Sequence, residues 1–71
     1  MARPSYLLEG WVARDWNGQM HLFTPNKPMR HPDGYPWWIG YRSYEIPETM
    51  YERLRWSDEP LKVRIELWKA E

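Results

Sequence analysis

The sequence predicts a mainly β protein, a small antiparallel meander or partly open barrel of about 4–5 strands with one short helix before the last strand. Three observations carry that prediction. From Leu61 to Leu67 the apolar residues Leu61, Val63, Ile65 and Leu67 alternate with Lys62, Arg64 and Glu66, the period of a strand buried on one face; a helix would scatter the same residues around its circumference. Upstream, Asp15-Trp16-Asn17-Gly18 separates two apolar runs with residues suited to a tight hairpin turn. Helical spacing is confined to Ile46–Leu54, where Met50, Tyr51 and Leu54 recur on one face.

A chain of 71 residues is one domain, 1–71, with residues 1–5 expected to lie outside its ordered part. A core of that size supplies only about 3–5 kcal/mol unless something reinforces it. The chain has no cysteine, so no disulfide or thiolate metal site does so; six Trp, five Tyr and one Phe are the available large apolar groups. Lack of cysteine fits a reducing compartment. Met1-Ala2-Arg3-Pro4-Ser5 lacks the apolar run of a signal peptide and no segment has the length of a membrane span, so the expectation is a cytoplasmic protein without membrane contact. Ten basic and ten acidic side chains cancel, which removes the broad electrostatic attraction that non-specific nucleic-acid binders use.

In chain order, the first strand is expected at 6–14, bounded by Pro4 and by the turn at 15–18. Asp15, Asn17 and Gly18 suit a type I turn closed by a left-handed Gly bulge, which places Val12 opposite Leu22 on one face and Trp11 opposite Phe23 on the other. A two-residue Asn17-Gly18 turn would shift every partner by one and exchange faces along the second strand; the bulged turn is the favoured reading. Large apolar groups on both faces imply a hairpin bent into a small barrel or covered on its second side. After a strand at 19–24, Pro25, Pro28, Pro32 and Pro36 interrupt regular structure and predict a loop of roughly ten residues. Residues 37–46 read as two short strands meeting at Gly40, or as one bent strand. The helix is expected at 47–54, opened by Pro47 and Glu48 and closed by Arg53 and Arg55, with Met50, Tyr51 and Leu54 plugging the open end of the barrel. Ser57-Asp58-Glu59-Pro60 turns the chain into a last strand at 61–68, and Val12, Leu22, Val63, Ile65 and Leu67 are the expected core.

The succession Gly10-Trp11-Val12-Ala13-Arg14-Asp15, Asn17-Gly18 before an apolar strand ending Leu22-Phe23, Lys27-Pro28, Ile46-Pro47, and Trp56-Ser57-Asp58-Glu59-Pro60 before an alternating strand resembles a group of short uncharacterised proteins encoded by gut anaerobic bacteria and their phages or mobile elements. The likeness spans most of the chain and consists of turn and core residues. It implies a compact module from a mobile element and carries no functional residue across.

Residues that bear chemistry are sparse. His21, His31 and Asp33 are the only set that imidazole and carboxylate preferences would offer to zinc or nickel, but their spacing matches no established ligand pattern, and ordinary surface histidines are the expectation, with no metal and no cofactor. Ser43 or Ser57 with either histidine lacks the strained turn that presents a nucleophile. Asp58 and Glu59 are adjacent and point apart in an extended chain, and four glycines form no phosphate-binding loop. No enzymatic activity is expected.

The aromatic excess remains. About two-thirds of the Trp and Tyr residues are assigned to the core, which leaves Trp16 at the hairpin tip, Trp68 on the charged phase of the last strand, and one of the adjacent pair Trp37 and Trp38 facing outward. The candidate binding residues are Tyr35, Trp37, Trp38, Tyr41, Arg64 and Trp68. Exposed aromatics beside arginine are the composition of protein-interface hot spots, and the expected function is a small interaction module that binds a protein partner or a second copy of itself. The alternative is a nucleic-acid accessory protein that stacks bases on the same aromatics while Arg42, Arg53, Arg55 and Arg64 hold phosphates; the neutral charge disfavours it.

Overall fold

In a computed structural model of the chain, the described residues are 6–67, with strand side chains described from 9 to 64. Six strands are found there: β1 (Tyr6–Arg14), β2 (Met20–Thr24), β3 (Met29–Arg30), β4 (Trp38–Ile39), β5 (Arg42–Ile46) and β6 (Leu61–Leu67). Four form an antiparallel sheet in the order β5-β2-β1-β6, and β3 and β4 form a separate antiparallel ladder. The sheet has two edges and does not close into a barrel, so the meander describes it and the barrel does not.

The β1–β2 turn sets the register. Asp15 N–H donates to Gln19 O at 2.8 Å, Gly18 N–H donates to Asp15 O at 3.0 Å, and Gly18 takes a φ of +95°. These are the marks of the bulged turn, and the strands pair Trp11 with Phe23 and Val12 with Leu22. Asn17 supports the turn from its side chain, accepting the Gln19 N–H at Oδ1, 3.0 Å away.

This hairpin is a wall covered on both sides. Val12, Met20 and Leu22 are buried on one face, under Ile46, Tyr51, Leu54 and Val63. On the other face Ala13, Phe23 and Trp38 are buried with Trp56 against them. Covering, not bending, resolves the apolar residues on both faces.

No helix forms at 47–54. Two successive turns take its place, with Met50 N–H donating to Pro47 O and Leu54 N–H to Tyr51 O, each at 3.1 Å. Arg14 ties this segment to the end of β1: its guanidinium donates to Leu54 O at 2.6 Å, Glu48 O at 3.0 Å and Tyr51 O at 3.1 Å, and to Gly18 O at 2.6 Å. Tyr51 and Leu54 still cover the core as the helical reading expected, while Met50 is exposed.

Two further observations concern strands. The proline-rich segment is not wholly irregular, since Met29 and Arg30, lying between Pro28 and Pro32, pair with Ile39 and Trp38. Residues 37–46 divide at Gly40, where an added Cβ would sit 2.7 Å from Phe23 Cδ1; the chain passes over the phenyl ring there and leaves one sheet for the other. Along β6, an edge strand, Val63 is half-buried against the core but Leu61 is 44% exposed, on the wall of an open concavity that it shares with Tyr51 and Leu54. The expected core positions Ile65 and Leu67 fall outside the described side chains, and residues 1–5 and Trp68 outside the described residues. Among the described residues no helix is long and apolar enough to cross a membrane.

Candidate aromatic binding surface

The surface is built where the β1–β2 turn meets the chain entering β4. Pro36 fixes φ at its position, and Trp37 N–H donates to Tyr35 O at 2.9 Å around it, a three-residue γ-turn that brings the flanking side chains together. Tyr35 and Trp37 accordingly stack, their ring centroids 4.9 Å apart and their planes 21° apart. His31 meets Tyr35 edge to face at 4.6 Å. A turn holds His31 in place: Gly34 N–H donates to His31 O and Asp33 N–H to His31 Nδ1, at 3.0 and 3.1 Å. With Nδ1 accepting that bond, the Asp33 carboxylate 3.9 Å from the same nitrogen is a neighbour and not a hydrogen-bond partner.

Three hydrogen bonds fasten the hairpin turn to this corner. Trp16 N–H donates to Pro36 O at 3.2 Å, Trp38 N–H to Asp15 Oδ1 at 3.0 Å, and Trp38 Nε1–H to Arg14 O at 3.0 Å. Asp15 is buried, and its second carboxylate oxygen lies 3.4 Å from His21 Nδ1. Behind the corner, Arg30 is held between two indoles, its Cζ 4.1 Å from the Trp38 ring and 4.3 Å from the Trp56 ring, and it donates to Trp56 O at 2.8 Å. Between the turn and the corner runs a groove of about 410 Å³ lined by Asp15, Trp16, Asn17, Gln19, Pro36 and Trp37. Trp16 is 71% exposed, Tyr35 51% and Trp37 43%.

Of the residues singled out in the sequence, Tyr35 and Trp37 come together here. Trp37 is the outward member of the tryptophan pair; Trp38 is 5% exposed and belongs to the core, because its main-chain and indole N–H groups both bond to the hairpin. Tyr41 is exposed and carries Arg42 over its ring at 5.5 Å, but it has no ring contact with Tyr35 or Trp37. Arg64 lies on β6, 3.4 Å from Glu9 Oε1. Trp68 is outside the described residues. Trp16, expected to be exposed but left out of the binding set, proves to be a wall of the groove. Asn17 and Gln19 are turn and strand residues in the sequence, and no pattern there marks them otherwise.

His21 and His31 belong to separate pairs, with Asp15 and with Asp33, and among the described residues no three His, Cys, Asp or Glu side chains gather as a metal site. A second concavity of about 410 Å³ lies between Tyr51, Leu54, Asp58 and Leu61, without an exposed aromatic. No protein-family model, curated protein or solved structure matches this chain.

Proposed function

We propose that this chain is a small non-enzymatic interaction module that binds a protein partner through Trp16, Tyr35 and Trp37. The observation that carries the reading is the adjacency of three large exposed aromatics beside a groove whose two walls are hydrogen-bonded to each other. Rigid aromatic side chains supply contact area at little cost in rotamer entropy, and Trp and Tyr dominate interface hot spots for that reason. Isolated exposed apolar residues are ordinary, but a contiguous cluster is a mark of a binding surface. A cytoplasmic location, and an origin in a phage or mobile element, go with this reading as the absence of cysteine and the resemblance described above suggest.

Selection from a displayed library of random peptides tests it. The wild-type chain is expected to enrich a family of sequences that Trp37→Ala, folded as judged by its thermal midpoint, does not enrich. Equal enrichment by the two proteins, or none by either, would count against the surface. Light scattering on the same pair reports self-association, where a second copy as partner would appear as a dimer that Trp37→Ala loses.

A further inference from the structure

The four-stranded sheet ends in two edges, β5 and β6, and they are not alike. Along an antiparallel ladder, residues whose N–H and C=O groups face the neighbouring strand alternate with residues whose groups face away. The bond from Asp15 N–H to Gln19 O sets that alternation at the hairpin turn. Through an unbroken register Ala13 and Trp11 then bond to His21 and Phe23, which turns Met20, Leu22 and Thr24 toward Ile46, Tyr44 and Arg42 of β5. The bond from Thr24 Oγ1 to Glu9 O at 3.1 Å agrees with it, because the same count makes Glu9 a residue of β1 that faces β2. Ser43 and Glu45 therefore direct their N–H and C=O groups to the open side of β5, where among the described residues nothing bonds to them. On β6 the outward residues are Lys62 and Arg64, the long cations that guard a sheet edge against pairing.

The β5 edge has no such guard. Arg42–Ile46 contains no proline, lysine or bulge, and Arg42, Ser43, Tyr44 and Glu45 are all exposed. A row of outward N–H and C=O groups is matched by extended backbone, and this row is complementary to itself: Ser43 and Glu45 flank Tyr44 symmetrically. We propose that β5 pairs with β5 of a second copy, antiparallel about a two-fold axis at Tyr44, so that two four-stranded sheets become one. Ser43 and Glu45 then exchange N–H to C=O bonds with the copy's Glu45 and Ser43, and the two Tyr44 rings, each 48% exposed in the single chain, meet at the axis as a non-hydrogen-bonded pair, the kind that brings side chains closest. This register overlaps the whole strand and sets no like charges opposite each other. Moving the axis to Glu45 would oppose two carboxylates, and moving it to Ser43 would set Ile46 against Gly40, outside the strand. Both β5 edges are consumed and only the guarded β6 edges are left, so assembly stops at two chains. The proposal goes beyond the aromatic groove and does not depend on it.

The test is light scattering on the full chain from about 1 μM to about 1 mM, where the mass is expected to rise to that of two chains. Ser43→Pro removes an outward N–H and no bond to β2, and is expected to weaken dimerisation tenfold or more with the near-ultraviolet circular dichroism of the fold retained. Should that variant fail to fold, Tyr44→Lys, which sets two ammonium groups together at the axis, is expected to give the same loss. Because the chain has no cysteine, a single introduced one reports alone: Tyr44→Cys is expected to oxidise to a linked dimer, its Cα atoms at the axis being about 4.5 Å apart, and Arg42→Cys, opposite Ile46 of the copy, much more slowly. Trp37→Ala is expected to dimerise as the wild type does. A mass that stays that of one chain up to about 1 mM, or Arg42→Cys linking as fast as Tyr44→Cys, would overturn the proposal. A dimer lost in Trp37→Ala and kept in Ser43→Pro would also overturn it, and would assign self-association to the aromatic surface instead.

Discussion

Arg14 shows how one side chain decides the form of a distant segment. Its guanidinium, anchored at the end of β1, presents several N–H donors in a planar fork, and it reaches the carbonyls of Gly18, Glu48, Tyr51 and Leu54 at 2.6–3.1 Å. A single turn or two of helix is marginal on its own, so Glu48 O, the one of these carbonyls that a helix over 47–54 would pair internally, does better by turning toward a charged donor. Arg14→Ala should therefore destabilise the protein by about 2–3 kcal/mol, the scale of hydrogen bonds to a charged group, as read by urea unfolding. Arg14→Lys should recover less than half of the loss, because an ammonium cannot reproduce the fork; full recovery would mean that charge alone suffices. The sequence carried no sign of this role. Pro47, Glu48, Arg53 and Arg55 are real helix-terminus preferences, and they were overridden by a residue more than thirty positions away. Val12 and Leu22, by contrast, were legible as core because the turn beside them fixes their register by local chemistry.

Among the elements, the Asp15–Gly18 turn has two tasks that depend on each other. It closes the hairpin through Asp15 and Gly18, and it seats the β3–β4 ladder by accepting Trp38 N–H at Asp15 Oδ1. Asp15→Ala leaves that buried N–H without a partner and should cost about 1–3 kcal/mol. Asp15→Asn retains an acceptor oxygen and should cost less; near-ultraviolet circular dichroism, sensitive to the Trp38 and Trp56 rings, distinguishes them. Gly18→Ala should cost about 1 kcal/mol through its positive φ alone, with no loss of the Trp38 contacts. The turn was readable from Asp, Asn and Gly in sequence. The ladder it supports was not, since a two-residue strand between prolines has no period to detect, and Arg30 gave no hint that it would lie between the indoles of Trp38 and Trp56. The candidate surface was half legible for the same reason: adjacency told that one of Trp37 and Trp38 faces outward, but no pattern announces the bonds, Trp16 N–H to Pro36 O and those of Trp38 to Asp15 and Arg14, that bring the hairpin tip beside it.

At the scale of the whole molecule, the β1–β2 hairpin is shared by two small cores, neither large enough to hold a fold alone. Val12, Met20 and Leu22 form one, Ala13, Phe23 and Trp38 the other, and Leu22 and Phe23 are neighbours in one strand pointing to opposite faces. Trp38 and Trp56, 5.7 Å apart edge to face, account for part of the tryptophan load, and Trp11, with Lys27 and Lys62 near its ring at 5.7 and 5.8 Å, for more. Among the described residues the two exposed tryptophans, Trp16 and Trp37, both line the groove. Because removing either cover would expose the same wall, the two cores should unfold together. Leu22→Ala and Phe23→Ala are each expected to cost about 2–5 kcal/mol, and each should shift one common transition, seen at the same midpoint by far-ultraviolet circular dichroism and by tryptophan fluorescence. Milder variants that stay folded at the outset make the comparison sharper: Val12→Ala probes the first core and Trp56→Phe the second. If Trp56→Phe lowered the fluorescence midpoint while the far-ultraviolet midpoint stayed at the wild-type value, the two faces would be separate units, and the groove, which joins the hairpin turn to the segment entering β4, would no longer have a rigid frame behind it.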